Sequence, residues 1–408
     1  MTTDSTRDVR TDFPSGPLSG LRILDLGTFL AGPWALGILA DQGAEVIKVE
    51  VPGTGDIVRY FGSERNGIGG LFHSINRGKK SIAVNVKDPR GLEIVRALAR
   101  DCDVLLHNYR PGVAERLGLA YADIEKINPQ IVYLHVTGFG EIGPYSHKRA
   151  YDAIIQAFSG YSMSMLNEQD EPANSYHIVA DKVTALTASQ AICTALLARE
   201  RGAGGQEVRL SMADSCLQFL WVDAQGTVGF LEPGAIEKTM PMQRGLTPMK
   251  FKNGWAHVQP VSDAEFASYC RTFGIEIAED PRLNSIAGRN QHPEEVQKVL
   301  DRIETMATEM NIDQAIAALE AGDVPCAKAQ NMAELADHPQ AKVMQSFVES
   351  NHPIAGRMRE PRSAARFTGT PNISPRSSAE LGRDTDEILE GLGMGDQVEA
   401  LRADNVIQ

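Results

Sequence analysis

Short apolar runs alternate with longer amphipathic stretches along the first half of the chain. "LRILDLG" (21–27), "EVIKVE" (45–50), "SIAVNV" (81–86), "DVLLHNY" (103–109) and "IVYLHVTGFG" (131–140) are rich in β-branched residues and too short for helices, so each predicts a buried strand. Between them, "GPWALGILADQGA" (32–44) predicts a helix with Pro33 in its first turn, and residues 89–100 predict another, with short helices running on to residue 128. After residue 181 a helix, the turn "RGAGGQ", the strand "EVRLSM" and a further helix continue the alternation. Strands alternating with helices predict an α/β fold: a large Rossmann-like lobe with a mostly parallel sheet and helices on both faces. Ligands in such sheets sit beyond the carboxyl ends of the strands, where Asn108, Tyr109, Thr137 and Gly138 stand.

The alternation then decays. "MKFKNGWAHVQPV" predicts a β-hairpin, and "DAEFASYCRTFG" and "HPEEVQKVLDRIETMATEM" predict helices, which together read as a smaller α+β lobe. From "GDVPCAKAQ" (322–330) onward the composition resembles the first part again, with "SAARFTGTP" as a returning strand. The expected organisation is a disordered tail at 1–17, a large Rossmann-like domain with linkers over 18–222 and 326–408, and a small domain over 223–325. A chain of 408 residues is too long for one ordinary core, which agrees with two lobes.

Charge narrows the function classes. The formal net charge is −13, with no basic stretch to bind nucleic acid or an anionic membrane, so an anionic ligand needs a local cluster of cations. Lys87, Arg110, Arg116 and Arg149 supply one near the strand ends, and guanidinium groups suit bidentate phosphate binding. The polar start and the lack of any long apolar run predict a cytoplasmic protein without a membrane span. Five scattered cysteines and nine histidines show no metal-ligand spacing, so no metal is expected.

Two glycine-bearing loops need weighing. "GFGEIG" (138–143) follows a strand, but Pro144 and Ser146 come next where a dinucleotide site would open a helix; it reads as a loop lining a cleft. "VPGTGD" (51–56) reads as a turn. Asp181 opens a helix whose first turns carry Thr184, Ala185, Thr187, Ala188 and Ser189. Two readings stay open for it: an N-cap, or a carboxylate kept ionised by helix N–H groups and so available as a nucleophile.

Six blocks in order, "LRILDLGTFLAGPWALGILADQGAEVIKVE", "DVLLHNYRPGVAERLGL", "NPQIVYLHVTGFG", "YDAIIQAFSG", "ADKVTALTASQAICTALLARE…GGQEVRLSMAD" and "DVPCAKAQNMAELADHPQ", resemble the family III CoA-transferases, a group that includes the α-methylacyl-CoA racemases. The resemblance implies an acyl-CoA:carboxylate CoA-transferase with Asp181 as covalent nucleophile, CoA entering as part of the substrate, and no permanently bound cofactor. It implies CoA or substrate contacts at Leu30 and Ala31, at Val84, Asn85, Val86 and Lys87, at Asn108, Tyr109 and Arg110, at Arg116, and at Arg149, Tyr151 and Asp152. It also implies an interlocked homodimer in which the partner's small lobe closes the acyl pocket. Gln243, Trp255 and Gln259 are the small-lobe candidates. Position 30 is Leu and position 51 is Val where oxalate-using members carry Gln and Arg, which argues against oxalate as acceptor. Racemases of this group place His before the Asp of "GHD"; here Ala150-Tyr151-Asp152 stands instead, with His147 and His177 nearby. A racemase, or an acyl-CoA binder without turnover, are the alternatives.

Overall fold

The computed structural model describes residues 16–166, 171–232, 234 and 247–408. The expected tail over 1–17 therefore falls almost wholly outside the described residues, as does Gln243. The chain divides into two compact units, Met1–Gly229 with Val343–Gln408, and Phe230–Lys342.

The first unit is built on β1 (Arg22–Asp25), α1 (Ala31–Asp41), β2 (Glu45–Glu50), β3 (Lys80–Ala83), α2 (Pro89–Asp101), β4 (Val104–His107), β5 (Val132–Thr137), α3 (Asp152–Phe158), α4 (Val179–Ala198), β5's neighbour β6 (Gln206–Ser211) and α5 (Met212–Val228). The six strands form one parallel sheet in the order β3-β2-β1-β4-β5-β6. Strand order reverses between β1 and β4, and a doubly wound sheet opens a crevice at that point.

Period-two alternation sorts the strand residues onto two faces. Val104 and Leu106, with Val132, Leu134 and Val136, pack under α1 and α4 against Leu36, Leu39, Ala185, Ala188 and Ile192. Leu105 and Tyr133 point the other way, into a core with Ile94 and Leu98 of α2 and with Ile388, Leu389, Val398 and Leu401 from the chain's end. Small residues on α4 let it lie close to α1. That contact brings the amino ends of both helices to the crevice.

The chain's end docks on β3: the Gln408 N–H donates to Ala83 O (3.1 Å) and the Asn85 N–H to Val406 O (2.8 Å). Residues 363–371 form no strand, contrary to expectation; an antiparallel hairpin, β10 (Phe347–His352) with β11 (Gly356–Pro361), precedes them.

The second unit carries β7 (Met249–Phe251), β8 (Gly254–Val258), α6 (Asp263–Thr272), α7 (Pro293–Ala307), α8 (Ile312–Ala321) and β9 (Cys326–Lys328), with the three strands antiparallel around β8. Its limits differ from the boundaries expected at 223 and 325. Residue 223 lies inside α5, which runs on to Val228, and β9 pairs with β8 in the register Val258 to Cys326, which ties the following segment to this unit up to Lys342. Among the described residues, no helix is long and apolar enough to cross a membrane.

Candidate active site

The crevice at the β1/β4 switch point holds a cavity of about 220 Å³. Of the sequence-predicted residues, Leu30, Ala31, Asn108, Tyr109, Arg110, Thr137, Gly138, Arg149, Tyr151 and Asp181 all line it. A second cavity of about 330 Å³ shares Thr28 and Tyr109 with the first and is lined by Val84, Val86, Lys87 and Arg116, together with Val49, Val51, Val113 and Leu117. Asn85 lines neither; its Oδ1 accepts the Lys87 N–H (3.1 Å) and holds the turn that leads to Lys87. Asp152 lines neither and lies behind Asp181.

Asp181 is the third residue of α4, whose N-cap is Ile178 with no side-chain bond, so the capping role open to it in the sequence is not the one it takes. Its own N–H donates to Asp152 Oδ1 (3.0 Å). The N–H of Ala31, the first residue of α1, instead faces its carboxylate and favours the ionised form. The carboxyl is 5% exposed, and Oδ2 is buried with no hydrogen-bond partner among the described residues.

The expectation that helix N–H groups keep this carboxylate readily ionised fails. Burial, and after it the nearby charge of Asp152, push its pKa up to about 7, and the single Ala31 donor offsets only part of that. A poorly solvated carboxylate with one free oxygen is a strong nucleophile once its proton is lost. Cys216 beside it is pushed up to about 11, by burial first and then by Asp152 and Asp181, so its thiol stays protonated.

Asp152 opens α3 and is itself held: Gln156 Nε2 donates to its Oδ2, while Gln156 Oε1 accepts the Ser175 N–H (2.9 Å). Tyr151 precedes it, exposed at the cavity wall, with its ring edge-on to Phe29 (6.0 Å between centroids). Gly138, just past β5, lies so close to this segment that a Cβ there would be 2.2 Å from the Ala150 Cβ. No helix opens after "GFGEIG" until Asp152, as the proline there implied.

Lys87, Arg110, Arg116 and Arg149 are exposed and make no ion pair among the described residues, which leaves them open to an anion. Sequence reasoning missed Lys148, which lines the first cavity with its ammonium 3.2 Å from the centre of the Tyr145 ring. It also missed a buried charge cluster under the β1–α1 loop, made of Asp25, Lys48, Asp56 and Lys79. Lys48 inside the otherwise apolar strand "EVIKVE" was the available signal, since a charge is fully buried only where it is paired. His147 and His177 are exposed and line neither cavity. Trp255 and Gln259 lie on the second unit, Trp255 half-exposed on β8.

Comparison with known proteins places this geometry. The model of CoA-transferase family III matches residues 18–385. The chain is 35% identical to succinyl-CoA:glutarate CoA-transferase of Mus musculus, over 96% of this chain and 90% of that one. It is 28% identical to formyl-CoA:oxalate CoA-transferase of Escherichia coli O139:H28, over 96% of this chain and all of that one (100%). Among solved structures, a CAIB/BAIF family protein from Brucella suis superposes with a TM-score of 0.79 at 28% identity, covering 93% of this chain and 100% of that one. A match that begins before β1 and runs into α9 (Thr385–Gly391) takes in both cavities and Asp181, and the chain belongs to CoA-transferase family III.

Proposed function

We propose that the protein is an acyl-CoA:carboxylate CoA-transferase that works through a covalent aspartyl intermediate on Asp181. The observation that carries this reading is the buried Asp181 carboxyl, with one oxygen unpartnered, in a cavity that also holds Arg110, Lys148 and Arg149.

The steps balance as follows. Asp181 Oδ2 attacks the thioester carbon of the donor; the C–S bond breaks, leaving an aspartyl–acyl anhydride and CoA thiolate. The thiolate attacks the Asp181 carboxyl carbon and expels the donor acid as its carboxylate, which keeps an oxygen from Asp181. The aspartyl-CoA thioester is then attacked by the acceptor carboxylate, thiolate leaves again, and its attack on the acceptor's acyl carbon yields the new CoA ester and free Asp181. Thioester is exchanged for thioester, so no nucleotide is consumed, and one hard exchange becomes a series of easier ones. During thiolate attack on the aspartyl carbon, negative charge gathers on the oxygen facing Ala31. The N–H at the start of α1 is the donor for it.

CoA is assigned to both cavities: its reactive arm in the first, and its phosphate-bearing part along Lys87 and Arg116 of the second. Relatives named for succinyl-CoA and glutarate make succinyl-CoA the first donor to offer, and a short dicarboxylate suits the cationic lining of the first cavity. A homodimer is supported by the large apolar side chains exposed on neighbouring helices, Phe219, Trp221 and Val222 on α5 and Leu186 on α4. An interlocked arrangement of the two chains is the form the family resemblance suggests.

Mixing succinyl-CoA with a panel of free carboxylates and following CoA by mass spectrometry tests the reading. Transfer to one or more acids is expected; hydrolysis or silence across the panel overturns it. Racemisation would instead place α-deuterium in a chiral 2-methylacyl-CoA in deuterated water, and among the described residues no histidine lines either cavity to serve as its second base. The pH profile is a separate prediction. Because Asp181 must be ionised, kcat/KM rises with pH to a plateau with a midpoint near the free-enzyme Asp181 pKa of about 7, falling about tenfold per unit below it.

A further inference from the structure

The loop joining β1 to α1 is held residue by residue. Asp25 Oδ1 accepts the Gly27 N–H (2.9 Å), and Lys48 Nζ donates to Gly27 O (2.8 Å). Asn108 grips both backbone groups of Thr28, accepting its N–H (2.9 Å) and donating to its carbonyl (2.8 Å). Asp56 takes the Phe29 N–H on its carboxylate, at 3.1 Å from Oδ1 and 3.2 Å from Oδ2. Two residues on, Ala31 shares the wall of the first cavity with Asp181, and its N–H favours the ionised form of that carboxyl.

Phe29 stands out in this chain of contacts. Its φ is 65°, the left-handed region that an aromatic residue rarely enters unless its surroundings force it there. The Phe29 ring lies against Phe61 (5.3 Å) and Tyr151 (6.0 Å), and the next two residues, Leu30 and Ala31, line the first cavity. The group that holds Phe29 is itself buried and clamped: Asp56 is 3% exposed, and Lys48 Nζ lies 2.9 Å from its Oδ2. Burial favours a neutral Lys48, but Asp25, Asp56 and Glu50 around it outweigh burial and keep its pKa above the ordinary value, so the clamp is ionic. Burying such a set of charges gives little stability over an apolar core of equal volume. It does fix the direction of each backbone group it touches.

We propose that Asp56, clamped by the Lys48 ammonium, is a positioning residue for the transfer: it holds Phe29 left-handed and thereby keeps the Ala31 N–H on the Asp181 carboxyl. The proposal rests on the transferase reading above. Asp56 also borders the second cavity, so its effect on catalysis has to be separated from any effect on CoA binding. Displacing a catalytic contact by about 1 Å lowers turnover by about 10²-fold.

The test uses the full chain with succinyl-CoA and an acid that the wild type accepts, comparing Asp56→Asn, Asp56→Ala and Asp181→Ala. Asp56→Ala is expected to lower kcat by about 10²-fold and to move the midpoint of the kcat/KM profile upward, since the donor favouring ionised Asp181 is displaced. Asp56→Asn keeps the volume and an acceptor but loses the charge, and is expected to fall between wild type and Asp56→Ala in both respects. A rise in KM for the CoA donor with kcat and midpoint unchanged makes Asp56 a cavity wall only and overturns the proposal. So does a loss of kcat that matches a loss of folded protein in the melting curve while the midpoint stays in place. If Asp181→Ala is inactive and both Asp56 variants match wild type, the positioning role alone fails; if Asp181→Ala remains active, the transferase reading fails and takes this proposal with it.

Discussion

Asp181→Asn is expected to reduce acyl exchange by at least ~10⁴-fold, the scale on which loss of an activated nucleophile is felt. The amide is nearly isosteric, and its oxygen can still accept the Ala31 N–H, so the cavity keeps its shape. What disappears is the anionic oxygen: the amide lone pair is delocalised and does not attack a thioester. CoA binding is expected to survive, because the basic groups assigned to CoA, Lys87 and Arg116, line the second cavity and Asp181 does not. Isotope exchange between free and bound CoA, measured beside a CoA binding isotherm, separates the two effects. Exchange within tenfold of wild type would remove Asp181 from the chemistry, whereas joint loss of binding and exchange would mean that the substitution had collapsed the site.

The same variant is expected to be more stable than wild type at neutral and alkaline pH. Asp181 titrates at about 7 when folded against an ordinary value of 3.8, so the folded state binds the extra proton between those values. Below about 4 the group is protonated in both states and costs nothing. Between about pH 4 and 7 the unfolded chain has already ionised this carboxyl while the folded state still holds it protonated, so wild-type stability falls across that window and levels off above 7. A shift of this size is worth up to ~4 kcal/mol, so Asp181→Asn should melt several degrees above wild type near pH 8 and show little gain near pH 4.5. Melting temperatures recorded at equal protein concentration at both pH values check this. A variant that melts at or below wild type near pH 8 would contradict the account of Asp181 as a strained, desolvated acid. Such a gain on removing a functional group is what a site that stores unfavourable burial for catalysis predicts.

The parts legible in the sequence were those governed by local pattern. "EVIKVE" matches β2 residue for residue, and "LRILDLG" and "DVLLHNY" bracket β1 and β4, because buried parallel strands announce themselves as short apolar runs. Their order also located the switch point, and with it Asn108 and Tyr109. Parts governed by distant partners were not legible. Lys48 and Asp56 lie eight residues apart and meet only once β2 and the loop after it have folded over β1. Asp181 was placed at a helix start, but which helix it faces could not be read. It turned out to be α1, because α1 and α4 pack through small residues, and that packing also produces the desolvation which raises its pKa. The pairing of β9 with β8 was likewise invisible in a stretch that resembled the first unit in composition.

Oxygen transfer into Asp181 tests the central claim most directly. In the proposed sequence each pass delivers an oxygen of the acceptor acid to the Asp181 carboxyl, so an acceptor labelled with 18O in its carboxylate should leave heavy oxygen in the peptide that carries Asp181 after a few turnovers. The account predicts the mass increase of 18O for 16O at that side chain and at no other carboxyl. Exchange proceeding at the full wild-type rate with no heavy oxygen in Asp181 would contradict it.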